Sequence, residues 1–266
     1  MKKELPIGIF DSGIGGLTVA NAIKKALPKE SILYFGDTEH LPYGEKSSEA
    51  IQQFSKRITE FLIEKGCKII IIACNTASSV AHKVVKDIAH GIPVVNVIDP
   101  VVKHVATHCQ NCHIGVIGTK RTTNSKVYPK KLQLLNAKAD VTSLATPLLA
   151  PMIEEGFFND QLSQTVIDSY LSNPELKDID KLILACTHYP LIQEEIQSYY
   201  QGKVDIIDSA SQVAEYVKQL LKKEDLLSYE TPTHHFYVSD YTDSFEQAAK
   251  LFFHEEIHLK EVKLTP

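Results

Sequence analysis

One short pattern occurs twice in this chain and limits what it can fold into. Lys68-Ile69-Ile70-Ile71-Ile72-Ala73-Cys74-Asn75-Thr76 is answered by Lys181-Leu182-Ile183-Leu184-Ala185-Cys186-Thr187-His188, the cysteines lying 112 residues apart (186 − 74). Each copy is a short apolar run ending in Ala-Cys and followed by polar residues. Other signals recur in the same order: Asp11 corresponds to Thr119 at an offset of 108 (119 − 11), and Asp99 to Asp208 at 109 (208 − 99). A repeat of this length describes two related domains, not a solenoid of short units.

Within each half, β-branched runs alternate with helical spacing. Pro6–Phe10, Ile32–Phe35, Lys68–Ala73 and Val94–Val97 read as strands, and so do His113–Gly118, Asp140–Leu144, Lys181–Ala185 and Val204–Ile207; Ser47–Lys65 has helical apolar spacing. The runs are apolar on both faces, which fits parallel sheets covered on each side by helices. The expected fold is α/β: two pseudo-symmetric three-layer domains with mostly parallel sheets, residues 1–98 plus 208–266 and residues 99–207. The tail, with a helix at Ala210–Leu221, a strand at His235–Ser239 and a helix at Tyr241–His254, is predicted to pack on the first domain. Ligands of such sheets bind beyond the C-terminal ends of the strands, so two facing domains would set the cysteines on opposite walls of one interdomain cleft.

Composition excludes other classes. The longest apolar run, around Ile69–Ile72, is too short to span a bilayer, and Met1-Lys2-Lys3-Glu4 reaches Asp11 before any signal-peptide core, so a cytoplasmic protein is expected. A net charge of −5 gives no footprint for nucleic acid. Five cysteines are an odd count in a chain read as leaderless, so all thiols are expected to be reduced. His108-Cys109-Gln110-Asn111-Cys112-His113 has the spacing of a haem attachment or half a zinc site, but no second ligand cluster follows and it leads directly into a strand; it reads as a surface connection with no metal.

A single free cysteine is most often a packed small hydrophobe. Two at matched positions, each followed by polar residues where a core would want Val or Leu, point instead to chemistry. A helix starting behind each cysteine, capped by Asn75-Thr76 or by Thr187-His188 with Pro190, is expected to lower its pKa from ~8.5 and to offer N–H groups to a carboxylate. Cys67 has neither a repeat partner nor a polar follower and reads as structural. Asp11-Ser12-Gly13-Ile14-Gly15-Gly16 is a Gly-rich turn able to approach a small anion, yet it lacks both the phosphate-loop ending and the G-x-G-x-x-G spacing.

These motifs, Gly8 to Gly16 around Asp11-Ser12, Pro42-Tyr43-Gly44, Ala73-Cys74-Asn75-Thr76-Ala77-Ser78 and Cys186-Thr187-His188-Tyr189-Pro190, occur in an order that resembles the glutamate racemases of bacterial cell-wall synthesis over essentially the whole chain. The second cysteine motif of that family often begins with Gly, where Ala185 stands here. The resemblance implies L- or D-glutamate held between the domains, no cofactor, and a homodimer. Cys74 would take the proton from D-glutamate with Asp11 assisting, and Cys186 from L-glutamate with His188 assisting; Glu154 matches a further acidic position. Asp11, Ser12, Pro42, Tyr43, Gly44, Asn75, Thr76, Thr187 and His188 would grip the substrate, with Thr119 and Thr122 as additional contacts. Only ten residues precede Asp11, so activation through an added N-terminal segment, known for some relatives, is not expected. An aspartate racemase-like enzyme is the nearest rival. A cysteine-nucleophile amidase using Cys186 and His188, or a non-catalytic amino-acid binding module, would need only one of the two cysteines or neither.

Overall fold

Four consecutive isoleucines put apolar side chains on both faces of a strand, so that strand must be covered twice. Ile69 and Ile71 enter one apolar core and Ile70 and Ile72 another, and all four are fully buried. The structure, a computed structural model, describes residues 2–109, 111–136 and 138–264. Its first half runs β1 (Ile7–Asp11), α1 (Leu17–Ala26), β2 (Ile32–Gly36), α2 (Ser48–Glu64), β3 (Ile69–Ile72), α3 (Asn75–Ile88), β4 (Val94–Asn96) and α4 (Ile98–His108). The second runs β5 (His113–Gly118), α5 (Lys120–Asn124), α6 (Val127–Leu135), β6 (Asp140–Ala145), α7 (Leu149–Glu154), α8 (Gln161–Leu171), β7 (Lys181–Ala185), α9 (Gln193–Tyr200) and β8 (Asp205–Asp208). The chain then continues through α10 (Ser209–Lys223), β9 (His235–Val238), α11 (Asp243–Phe253) and β10 (Leu259–Glu261).

Two sheets result, ordered β10-β9-β2-β1-β3-β4 and β6-β5-β7-β8, and every pairing among the described residues is parallel. The four-strand core of the first, β2-β1-β3-β4, has the order of the second, β6-β5-β7-β8, so the repeat in sequence is a repeat in topology. The tail returns to the first sheet, β9 beside β2 and α11 against α1. β10 adds an edge strand that the sequence pattern does not announce: of its three residues only Leu259 is buried.

Helices cover both faces of each sheet. In the second sheet, Ile114, Val116 and Ile183 pack with Val101, Val105 and Leu132 of α4 and α6, while Ile117, Leu182 and Leu184 join Ile167 of α8 and Ile196 of α9. That last core is continuous with the α1 and α10 face of the first sheet, including Ile7, Leu17, Val213 and Val217. One apolar body therefore backs both sheets.

Two sequence expectations need correction. Asp208 does cap a helix, accepting from Ser211 N–H at 2.8 Å. Its structural counterpart is Asn96 and not Asp99: Asn96 Oδ1 accepts from the N–H groups of Ile98 and Asp99, both at 2.9 Å, and the spacing of 112 (208 − 96) equals that of the cysteines. Nor are all five cysteines reduced. Cys109 and Cys112 are joined by a disulfide, because the turn from α4 into β5 brings their Cα atoms to 5.7 Å, within the span such a bond bridges. Gln110 between them lies outside the described residues. Among the described residues no cluster of His, Cys, Asp and Glu could hold a metal ion, and no helix is long and apolar enough to cross a membrane.

The first half is tied to the tail by a buried ion pair, Lys68 with Glu30, whose side chains are each 1% exposed. Lys68 Nζ also donates to the carbonyls of Lys3 and Leu226, and Glu30 Oε1 accepts from Ser228 N–H. Removing one partner strands the other charge without water. Lys68→Met is expected to cost about 3–5 kcal/mol in urea unfolding, and adding Glu30→Leu to recover much of that loss; a cost below about 1 kcal/mol for the single variant would show that the pair is solvated.

Candidate active site

Strand order reverses between β1 and β3 and again between β5 and β7, and a parallel sheet opens a crevice at the C-terminal ends of such strands. The two crevices meet in one cavity of about 60 Å³. Ser12, Pro42, Gly44, Cys74, Asn75 and Thr76 line it from the first sheet, and Thr119, Glu154, Cys186, Thr187 and His188 from the second. Three expected residues stand behind this lining. Asp11 is fully buried at the end of β1, Thr122 is buried against Thr76 and Thr119, and the Tyr43 hydroxyl is engaged by Asp37 Oδ2 at 2.5 Å. Ala185 also lines the cavity, with its carbonyl packed on Gly118. A larger cavity of about 970 Å³ lies against α1, α10 and α11, but no cysteine lines it.

On the first wall, Cys74 is itself the N-cap of α3: Ala77 N–H donates to its Sγ at 3.3 Å, while the Sγ–H reaches Ser12 Oγ at 3.5 Å. Asn75 and Thr76, expected as caps, form the first turn of α3 and point its N–H end at the cavity. The expected lowering of the thiol pKa is overturned. Burial, reinforced by the Asp11 carboxylate, pushes Cys74 up to about 12, against the pull of Ala77 N–H and Ser12. The magnitudes explain the outcome: a helix start supplies at most about 2 kcal/mol, whereas moving a thiol from 9.0 to about 12 corresponds to about 4 kcal/mol against the thiolate. Asp11 is raised by its own burial too, opposed by the charge of His188 and by the N–H groups of Gly16, Gly13 and Ser12.

The second wall carries a different constellation. Cys186 is followed by a short 3₁₀ turn, Tyr189–Ile192, before α9 begins, so the α-helix start expected immediately behind it is displaced. Its neighbour is instead an imidazole: Cys186 Sγ lies 3.5 Å from His188 Nδ1, and His188 Nε2 lies 2.7 Å from Glu154 Oε1. Burial alone would lower the His188 pKa, but Cys186 and Glu154 outweigh it and hold the ring well above its usual range. Gly15 makes room for the ring, since a Cβ there would fall 2.3 Å from His188 Cε1. Phe252 of α11 meets the imidazole edge-on, the ring centroids 5.2 Å apart.

Hydroxyls join the walls. Thr76 Oγ1 lies 2.9 Å from Thr119 Oγ1 and 3.4 Å from Thr122 Oγ1, and Thr18 Oγ1 donates to the Thr187 carbonyl at 2.9 Å. Two contributors were missed from sequence. Asp37, at the end of β2, holds the 37–45 loop by accepting from Tyr43 and Ser239 and pairing with His40. Tyr128 of α6 donates to Asn75 Oδ1 at 2.6 Å. An Asp shortly before Pro-Tyr-Gly was a legible hint for the first; a tyrosine in a helix reads only as core.

Two parallel sheets meeting in a cavity with a thiol on each wall define an α/β enzyme with a paired-cysteine cleft. Residues 8–217 match the model of the Asp/Glu/Hydantoin racemase family, and the chain belongs to that family. It is 42% identical over 254 residues to a glutamate racemase of Chlorobaculum parvum, covering 95% of this chain and 93% of that one. It is 40% identical to the glutamate racemase of Aquifex aeolicus, covering 96% and 97%. Among solved structures, glutamate racemase of Francisella tularensis in complex with D-glutamate superposes with a TM-score of 0.93 at 40% identity, covering 98% of each chain.

An un-ionised, buried Cys74 links stability to pH. With its folded pKa raised, the stability it contributes is complete below its ordinary 9.0 and drains as pH rises toward about 12. Cys74→Ser is expected to flatten the alkaline slope of unfolding free energy by about 1.4 kcal/mol per pH unit, read by urea unfolding between about pH 9 and 11; an unchanged slope would mean that Cys74 is not held as the thiol.

Proposed function

We propose that this chain is a cofactor-independent glutamate racemase that interconverts L- and D-glutamate by passing protons through Cys74 and Cys186. The observation that carries this reading is the placement of the two cysteines, one from each sheet and both buried, in one small cavity. Inverting a carbon requires a base on one face and an acid on the other, because a single group would return the proton to the face it left. The D-glutamate in the Francisella tularensis structure and the glutamate racemases at about 40% identity support the choice of substrate. The domains, 1–98 with 208–266 and 99–207, are proposed as the two walls.

In this reading Cys74 removes the α-proton of D-glutamate while Cys186 protonates the opposite face, and the roles reverse for L-glutamate. His188 Nδ1, 3.5 Å from Cys186 Sγ and backed through Nε2 by Glu154, is placed to exchange a proton with that thiol. Asp11, buried beside Cys74, assists the other thiol. The carbanionic transition state is stabilised by the donors lining a desolvated site: the α3 N-terminus at Asn75-Thr76 and the hydroxyls of Ser12, Thr119 and Thr187. Cytoplasmic placement, a homodimer and supply of D-glutamate to peptidoglycan synthesis come with the family resemblance and belong to the same proposal.

Purified protein given D-glutamate in deuterated water is expected to lose optical activity while the α-position gains deuterium. Cys74→Ser and Cys186→Ser should each slow racemisation by about 10²–10⁴-fold, the usual contribution of a positioned acid or base. Racemisation that survives both substitutions, or activity confined to D-aspartate, would overturn the reading.

A further inference from the structure

Asn75 lines the cavity, is 2% exposed, and leaves its amide Nδ2 without a hydrogen-bond partner. A buried amide donor normally finds an acceptor, so this one is either a loss of stability or a group kept for a ligand. The other end of the same amide is engaged: Asn75 Oδ1 accepts from the Tyr128 hydroxyl at 2.6 Å. Tyr128 is 1% exposed and held in α6 of the second half. Asn75 belongs to α3 of the first half.

We propose that Tyr128 is a positioning residue: its hydroxyl, reaching across from the second half, fixes the Asn75 side-chain amide with oxygen to the phenol and NH₂ to the cavity, where it donates to a substrate carboxylate. An asparagine amide has two orientations that differ in which end faces the ligand, and only one of them offers a donor to an anion. A phenol proton aimed at Oδ1 selects that one. Because the two residues come from different halves, the selection is complete only when the cavity is assembled, so binding of the carboxylate and juxtaposition of the thiols require the same arrangement. The identity of the carboxylate rests on the glutamate reading above; the orientation of the amide does not.

Tyr128→Phe removes the hydroxyl while keeping the ring. Its KM for both glutamate enantiomers is expected to rise roughly tenfold with kcat changed less than about threefold, the signature of lost ground-state binding. Asn75→Ala should raise KM similarly, and the double variant should be no worse than Asn75→Ala alone, because Tyr128 acts through Asn75. An unchanged KM in Tyr128→Phe, or KM effects that multiply in the double variant, would overturn the proposal. A second measurement is independent of turnover. In protein labelled with ¹⁵N-asparagine, the Asn75 side-chain NH₂ pair, identified by its loss in Asn75→Ala, should shift or broaden in Tyr128→Phe while the melting temperature stays within a few degrees. An unmoved pair refutes the role of Tyr128. Wild-type protein that fails to racemise glutamate refutes the substrate assignment instead, and leaves the amide signal to decide the role of Tyr128.

Discussion

A parallel strand cannot turn straight back into its neighbour; it needs a crossover, and the crossover forces every strand of a sheet to end at the same edge. The rest of this molecule depends on that constraint. With β1 to β4 and β5 to β8 wound in the same order, each sheet presents its C-terminal edge, and the one or two residues after the third strand of each land beside a point where strand order reverses. Cys74 and Cys186 occupy those two positions. The apolar core shared by the two sheets then brings them to one cavity, so the proposed catalytic pair is set by topology and packing with no dedicated scaffold of its own.

Repetition of the fold has not produced repetition of the electrostatics. At Cys74 desolvation wins: the helix start and Ser12 are outweighed by burial and by a neighbouring carboxylate. At Cys186 an imidazole stands within hydrogen-bond reach, backed by Glu154 and pressed between the Gly15 backbone and the Phe252 ring. The proposed two-sided proton transfer needs one wall armed as acid and the other as base at any moment, and unlike surroundings distinguish the two walls. The difference between the walls is carried by their partners, since the cysteines themselves are interchangeable in position.

What sequence conveyed follows from which quantities are local. Apolar runs on both faces, the matched Ala-Cys ends and the Gly-rich turn after Phe10 are local, and all eight strands of the two repeats were legible from them. The direction of the Cys74 pKa was not, because it is a contest between a local helix start and a burial that exists only once both halves have packed. Tyr128 was missed for a related reason: its ring is ordinary core, and its hydroxyl acquires a role only through a partner 53 residues away. Asp99 was matched to Asp208 because both are aspartates, while the residue with the same capping duty is Asn96. The Cys109–Cys112 spacing was plain, but its pairing depends on the turn between α4 and β5.

The threonines that bridge the cavity bear on more than its shape. An opening of about 60 Å³ is far below the 300 Å³ or so of a working ligand site, so the walls must part to load and unload. The bonds broken would be those of Thr76 with Thr119 and Thr122 and of Thr18 with the Thr187 carbonyl, all neutral and exchanged for bonds to water at a net cost of only about 0.5–1.5 kcal/mol each. Ion pairs in the same places would leave desolvated charges to be rehydrated and would hold one state. Hydroxyl bonds between the walls are therefore cheap to break and remake, where buried ion pairs would not be.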